Sequence, residues 1–180
     1  HLASIGYDIA INYNESLKEA NFTKAEIEKL GKKCELFKCD LSDEIQVIRL
    51  IKDVKKKFKN IKLLINNASV FYKSSIKETD LELLNKILNV NIKAAFLLIR
   101  EFAENSNSGN IINILDAKTV ENNINYSVYN LSKKFLEELT VLAAKELKPN
   151  IRVNAISPGL ILQPHDKSLD YFDSMLKKRG

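Results

Sequence analysis

The stretch Ile61-Lys62-Leu63-Leu64-Ile65-Asn66-Asn67-Ala68-Ser69 decides the fold. Its near-continuous apolar run, residues 61–65, is what a central parallel strand covered on both faces requires. Polar and small residues follow at once, so the chain leaves the sheet at Asn66. Towards the N-terminus, residues 43–58 carry Ile45, Ile48, Ile51 and Val54 at three-residue steps, a drifting apolar face on a helix. Before it, residues 35–39 read as a strand, 17–30 as a helix closed by Gly31, and 9–13 as a strand. Towards the C-terminus one long helix is expected over about residues 80–104. It is apolar nearly all round from Ile87 to Ile99, so it must be buried on two sides, by the sheet and by a partner subunit. Residues 110–115 read as a strand, 126–147 as a helix and 151–156 as a last strand.

Strict alternation of strand and helix implies a parallel sheet with right-handed crossovers, an α/β chain of the doubly wound kind. Ligands in such folds sit outside the carboxyl ends of the strands. Asn14 and Ser16 follow the first strand, Asp40 and Leu41 the second, and Asn66 to Ser69 the third. Asp116 follows the fourth, and Ser157-Pro158-Gly159 the fifth. Polar and small residues gather at one edge, which marks an active-site rim.

A length of 180 residues suits a single domain over 1–180. Hydrophobic residues at 45% and charged residues at 28% are ordinary for a soluble globular protein. No apolar run reaches the roughly 18 residues a bilayer span needs, and no signal peptide precedes the first strand. A soluble, cytoplasmic protein is expected, with no membrane partner. The net charge of +5 comes mostly from lysine, densest at Lys55-Lys56-Lys57 near a helix C-terminus, where cations suit the dipole. Interleaved aromatics and clustered arginine are lacking, so no nucleic-acid partner is expected. Cys34 and Cys39 lie five apart on one strand and point to opposite faces, which excludes a disulfide between them. No nearby His or second Cys pair completes a metal site.

Tyr129 and Lys133 are four apart, on one helix face. The apolar residues Leu131, Phe135, Leu139 and Leu142 project to the opposite side. An ammonium beside the phenol is expected to pull its pKa down from about 10, giving a proton donor or acceptor usable near neutrality. Asn66-Asn67-Ala68 directly after an apolar strand, Asn91 within an apolar helix, and Ser157-Pro158-Gly159 after Val153-Asn154-Ala155 accompany the pair. In that order and spacing the chain resembles the short-chain dehydrogenase/reductase superfamily over nearly its whole length. The resemblance implies a three-layer αβα Rossmann fold, a nicotinamide cofactor and hydride transfer. It implies that Asp40 meets the adenine, Asn66 the cofactor's ribose region and Lys133 the nicotinamide ribose. It also implies that Asn91 holds a proton-relay water and that Tyr129 is the acid. Asn14, Ser16, Leu41, Ala68, Ser69, Pro158 and Gly159 complete the expected cofactor contacts.

One departure narrows the resemblance. The common pattern has serine 13 residues before the tyrosine, and here that residue is Asp116. An ionised carboxylate cannot donate a hydrogen bond to a carbonyl oxygen. Pteridine reductases carry aspartate there, and Asn67-Ala68-Ser69-Val70-Phe71 looks like their loop, in which the serine meets cofactor and pterin and the phenylalanine stacks on the pterin. This implies NADPH rather than NADH, a pterin or folate substrate, and a homotetramer. Tyr13 stands where NAD-selective relatives place an acid, and Asn14 and Ser16 could bond a 2′-phosphate. Glu15 departs from the basic residue often found there in pteridine reductases. The rival readings are a carbonyl or 3-oxoacyl reductase in which Asp116 is incidental, and an inactive relative serving as a binding or assembly subunit.

The Gly-rich phosphate loop of the superfamily is not found among Gly6, Gly31, Gly109, Gly159 and Gly180. His1-Leu2-Ala3 reads as the second half of the helix that would follow that loop. The chain is therefore expected to be part of a longer one. It would lack the first, central strand of the sheet and the C-terminal strand, with two rows of unpaired backbone groups in the core.

Overall fold

A computed structural model describes residues 1–159 and residue 161. Strand β1 (Ile9–Tyr13) pairs in parallel with β2 (Cys34–Lys38), and β3 (Leu63–Asn66), β4 (Gly109–Ile114) and β5 (Ile151–Ile156) form a second parallel sheet in that order. The helices are α1 (Leu17–Lys29), α2 (Glu44–Lys57), α3 (Leu81–Leu88), α4 (Ala94–Asn105) and α5 (Ser127–Glu146). This is the Rossmann-like α/β alternation expected. Gly31, at φ 72°, closes α1 in the left-handed region as anticipated. At the start Leu2 is in the right-handed helical region and the Ile5 amide reaches the His1 carbonyl at 3.2 Å, a helical end that tightens into a 3-10 turn, Ala3–Ile5, and closes at Gly6 with φ 111°.

The sheet is in two parts. A cavity of about 850 Å³ separates them, lined by Ile9 to Asn12 of β1 on one side and Leu63 to Asn66 of β3 on the other. Leu50, Ile51 and Val54 of α2 and Ala94 and Leu98 of α4 also line it. The facing edges of β1 and β3 have no ladder partner among the described residues, which matches the two unpaired rows anticipated from the sequence. The expectation about a C-terminal strand falls outside the described residues.

Layering follows from which face each element buries. Cys34 lies near Lys24 and Glu28 of α1, while Cys39 packs with α2 and α4, so the two free, buried thiols do face opposite ways. Burial pushes both thiols up, Cys39 to about 11, so neither is a reactive thiolate at neutral pH. The main core lies between β4–β5 and α4–α5, around Phe102, Ile111, Leu136, Leu139 and Val153.

Two helical readings need correction. On α2 the buried residues are Val47, Leu50, Ile51 and Val54, the spacing of a true helical face, whereas Ile45 is exposed. The single helix expected over 80–104 is interrupted: α3 and α4 are joined by a π-helical turn, Asn89–Lys93, that contains Asn91. Such turns are often found at functional sites. Ala94, Leu97 and Leu98 of α4 join the core with α2, and Ala95, Ile99 and Phe102 join the core with β4, β5 and α5, so the chain itself buries this helix on two sides and leaves Phe96 exposed.

Candidate active site

At the carboxyl end of β4 the chain turns through Asp116, whose Oδ1 accepts from the Lys118 amide at 2.7 Å and caps a 3-10 turn, Ala117–Glu121. The other oxygen, Oδ2, accepts a 2.8 Å hydrogen bond from Tyr129 Oη. Tyr129 and Lys133 are both buried, on the face of α5 that also buries Leu136, Thr140 and Ala143. Lys133 Nζ donates to the Ile114 carbonyl at 2.9 Å and sits 5.8 Å from the Tyr129 ring centroid. Leu131, Phe135 and Leu142 lie on the opposite side and are exposed, but Leu139, expected with them, is buried in the core.

The ionisation of Tyr129 overturns the sequence expectation. Burial raises its pKa well above the usual phenol range, and the hydrogen bond to Asp116 and that carboxylate's charge raise it further. Burial lowers Lys133, with Asp116 partly opposing the shift. Desolvation and the nearby acid outweigh the lysine, so Tyr129 stands as a neutral phenol.

Asn91 is buried in the π turn. Its Oδ1 accepts from the Val70 amide at 2.8 Å, while its Nδ2 donates to the Val70 carbonyl at 3.0 Å and to Ser132 Oγ at 3.1 Å. Its side chain thus fastens the loop after β3 to the helix bearing Tyr129. On that loop Phe71 stacks on Tyr126 and meets Tyr129 edge-on. Ser69 is exposed on the same loop.

The remaining expected contacts lie along the same sheet edge but are not all brought together. Leu41, Asn66 and Ala68 line the cavity at its carboxyl end, and Asn66 Oδ1 is buried with no hydrogen-bond partner among the described residues. Asp40 spends its Oδ1 on the amide and hydroxyl of Ser42, both at 2.8 Å. Asn14 and Ser16 are exposed, and Ser16 caps α1 without a side-chain bond. Pro158 accepts from the Ala117 amide at 3.1 Å, tying the loop after β5 to the turn at Asp116, and Gly159 is exposed beside it. Glu15 is close enough for its charge to help raise Lys86, whose ammonium bonds Tyr72 and lies 4.9 Å from its ring centroid.

Several residues were missed. Asn113 is fully buried in β4, accepts from Asn66 Nδ2 and donates to Thr140 Oγ1, each at 2.8 Å. A lone asparagine among Ile111, Ile112 and Ile114 was the available signal. Ser74 bridges to the start of α5, accepting from the Ser127 amide and donating its own to Asn125. Nothing in the local pattern announces that pairing.

A dinucleotide of the kind the resemblance implies can be tested against this edge. The buried, unpartnered acceptor of Asn66 and the buried Lys133 ammonium, with one carbonyl partner, suit ribose hydroxyls. The residues fit that half of such a cofactor. Among the described residues no cluster of His, Cys, Asp and Glu could hold a metal, and no helix is long and apolar enough to cross a membrane.

Fold and site together define an α/β chain with a buried Tyr–Lys pair and a third polar partner at the sheet's carboxyl edge. The sequence matches the short chain dehydrogenase family over residues 1–172, and the chain belongs to that family. It is 32% identical over 176 residues to an NADPH-dependent aldehyde reductase 2, chloroplastic, of Arabidopsis thaliana. That match covers 88% of this chain and 65% of the relative, so the chain spans about two thirds of the curated relatives it matches. Two solved structures are also similar, those of FolM alternative dihydrofolate reductase 1 from Brucella canis and from Brucella suis, each with NADP. Both are 31% identical, with TM-scores of 0.88 and 0.90; each match covers 98% of this chain, and 71% and 72% of those chains.

Proposed function

We propose that the protein is an NADPH-dependent oxidoreductase that reduces a pterin, dihydropterin to tetrahydropterin, with dihydrofolate as a second substrate. The observation that carries this reading is the 2.8 Å bond between Tyr129 Oη and Asp116, beside an exposed aromatic ring at Phe71. The similarity to two alternative dihydrofolate reductases supports it, and their NADP supports NADPH over NADH. Bound NADPH would supply the hydride. Lys133, Asn66, Ala68 and Ser69 would hold its nicotinamide-ribose half. Asn14, Ser16, Asp40 and Leu41 would hold its adenosine half, and Pro158 and Gly159 would flank the nicotinamide.

Reducing a carbon–nitrogen double bond takes a hydride at carbon and a proton at nitrogen. Tyr129 keeps its proton at neutral pH and can donate it from Oη. Lys133 stands behind the ring, where its charge favours the phenolate left by that transfer. Asp116 orients the phenol and offers a carboxylate to the N–H donors that a pterin carries and a simple ketone lacks. Asn91 keeps the Phe71 loop in register with Tyr129, and Phe71 stacks on the flat ring. The same reading makes the enzyme a cytoplasmic homotetramer.

A second reading, an aldehyde or ketone reductase, is favoured by the aldehyde reductase relative. Asp116→Ser separates the two. Loss of dihydropterin reduction by about 100-fold or more is expected, in the range of a general acid–base contribution, with ketone reduction kept or raised. Undiminished pterin reduction in Asp116→Ser would sink the first reading.

A further inference from the structure

The ring pair beside Tyr129 has a member without a role so far. Phe71 and Tyr126 lie parallel, centroids 4.4 Å and planes 11° apart, and Phe71 meets Tyr129 edge-on at 4.6 Å. One face of Phe71 is therefore covered by Tyr126. The ring nonetheless remains 58% exposed, so its opposite face is open.

The backbone on both sides of Phe71 is pinned. Asn91 holds Val70 by both its amide and its carbonyl. Ser74 donates its amide to Asn125 at 2.8 Å and accepts from the Ser127 amide at 3.1 Å. Between these anchors only Phe71, Tyr72 and Lys73 span the gap. What stays free at Phe71 is chiefly its side-chain torsions, and the parallel contact with Tyr126 is what restrains them.

We propose that Tyr126 is a positioning residue for substrate choice: it backs the Phe71 ring and sets its plane, so that the open face is presented to a flat heteroaromatic substrate. A ring already held in the bound orientation loses less freedom on stacking, which tightens binding without touching the reacting atoms. The inference rests on the pterin reading for the identity of that substrate.

The test is steady-state kinetics of the complete NADPH-loaded enzyme with a dihydropterin. Tyr126→Leu should raise KM by roughly 2- to 12-fold, the range an aromatic pair supports, with kcat changed by less than about twofold. Tyr126→Phe should restore the wild-type KM, because stacking needs the ring and not the hydroxyl. Since Tyr126 acts through Phe71, the double variant Phe71→Leu/Tyr126→Leu should be no worse than Phe71→Leu alone. Should Tyr126→Leu fold poorly, Tyr126→Met takes its place. An unchanged KM, additive effects in the double variant, or failure of Tyr126→Phe to rescue would each overturn the inference while leaving the pterin reading intact. A wild-type enzyme inert towards the dihydropterin would overturn both.

Discussion

Tyr129, Lys133 and Asp116 act as one ionising unit, and burial decides its state. The pairing of Tyr129 with Lys133 was legible because four residues bring two side chains onto one helix face. Their pKa shifts were not, because spacing says nothing about desolvation. The structure raises Tyr129 and lowers Lys133, with burial the largest cause of each. The sign for activity follows. Tyr129 stays protonated beyond its ordinary 10.0, so its ionisation does not remove the proton donor in mildly alkaline solution. Lys133 loses its charge below its ordinary 10.5, so the alkaline limb of the kcat/KM profile belongs to the lysine. Lys133→Arg should carry that limb upward, because a guanidinium keeps its charge to above pH 12. A limb that stays in place in an active Lys133→Arg enzyme would assign it to another group.

At the scale of elements, strand and helix types were legible from period alone, while the buried faces were partly misread. On α2 the three-residue steps of Ile45, Ile48, Ile51 and Val54 drift around the helix: the last two are buried, Ile48 packs against the core's edge and Ile45 is exposed. The π turn at Asn89–Lys93 left no mark in an apolar stretch, because its cause is tertiary: Asn91 reaching Val70 and Ser132. On α5 the buried face carries Tyr129, Ser132 and Lys133 beside Leu136, Leu139 and Ala143, while Leu131, Phe135 and Leu142 are exposed on the other side. Exposed Leu131, Phe135 and Leu142 on one helix face suit a subunit interface. Self-association through this face is expected, and Phe135→Lys should lower the mass found by light scattering. Wild-type protein that already scatters as a monomer would contradict it.

For the molecule as a whole, the α/β order brings the strand ends and the polar residues that follow them to one edge. Asp116, Tyr129, Phe71 and Asn91 converge there, through contacts 13 to 58 residues apart in sequence such as Tyr129–Asp116 and Phe71–Tyr129. Asn14 and Asp40 follow the paired ends of β1 and β2, joined by the Cys39 amide on the Tyr13 carbonyl at 2.9 Å, and Asp40 spends one oxygen on Ser42. The Asn66–Asn113–Thr140 chain ties β3 and β4 to α5, and its sequence trace is the polar Asn113 among Ile111, Ile112 and Ile114, which does not name its partners. The proposed reaction is hydride going to a pterin. The most direct measurement is NADPH consumption by the complete enzyme with dihydrobiopterin, dihydrofolate and an acetoacetyl ester side by side. Turnover with the pterin and not the ester is the predicted result; turnover with the ester alone would keep the family and contradict the pterin.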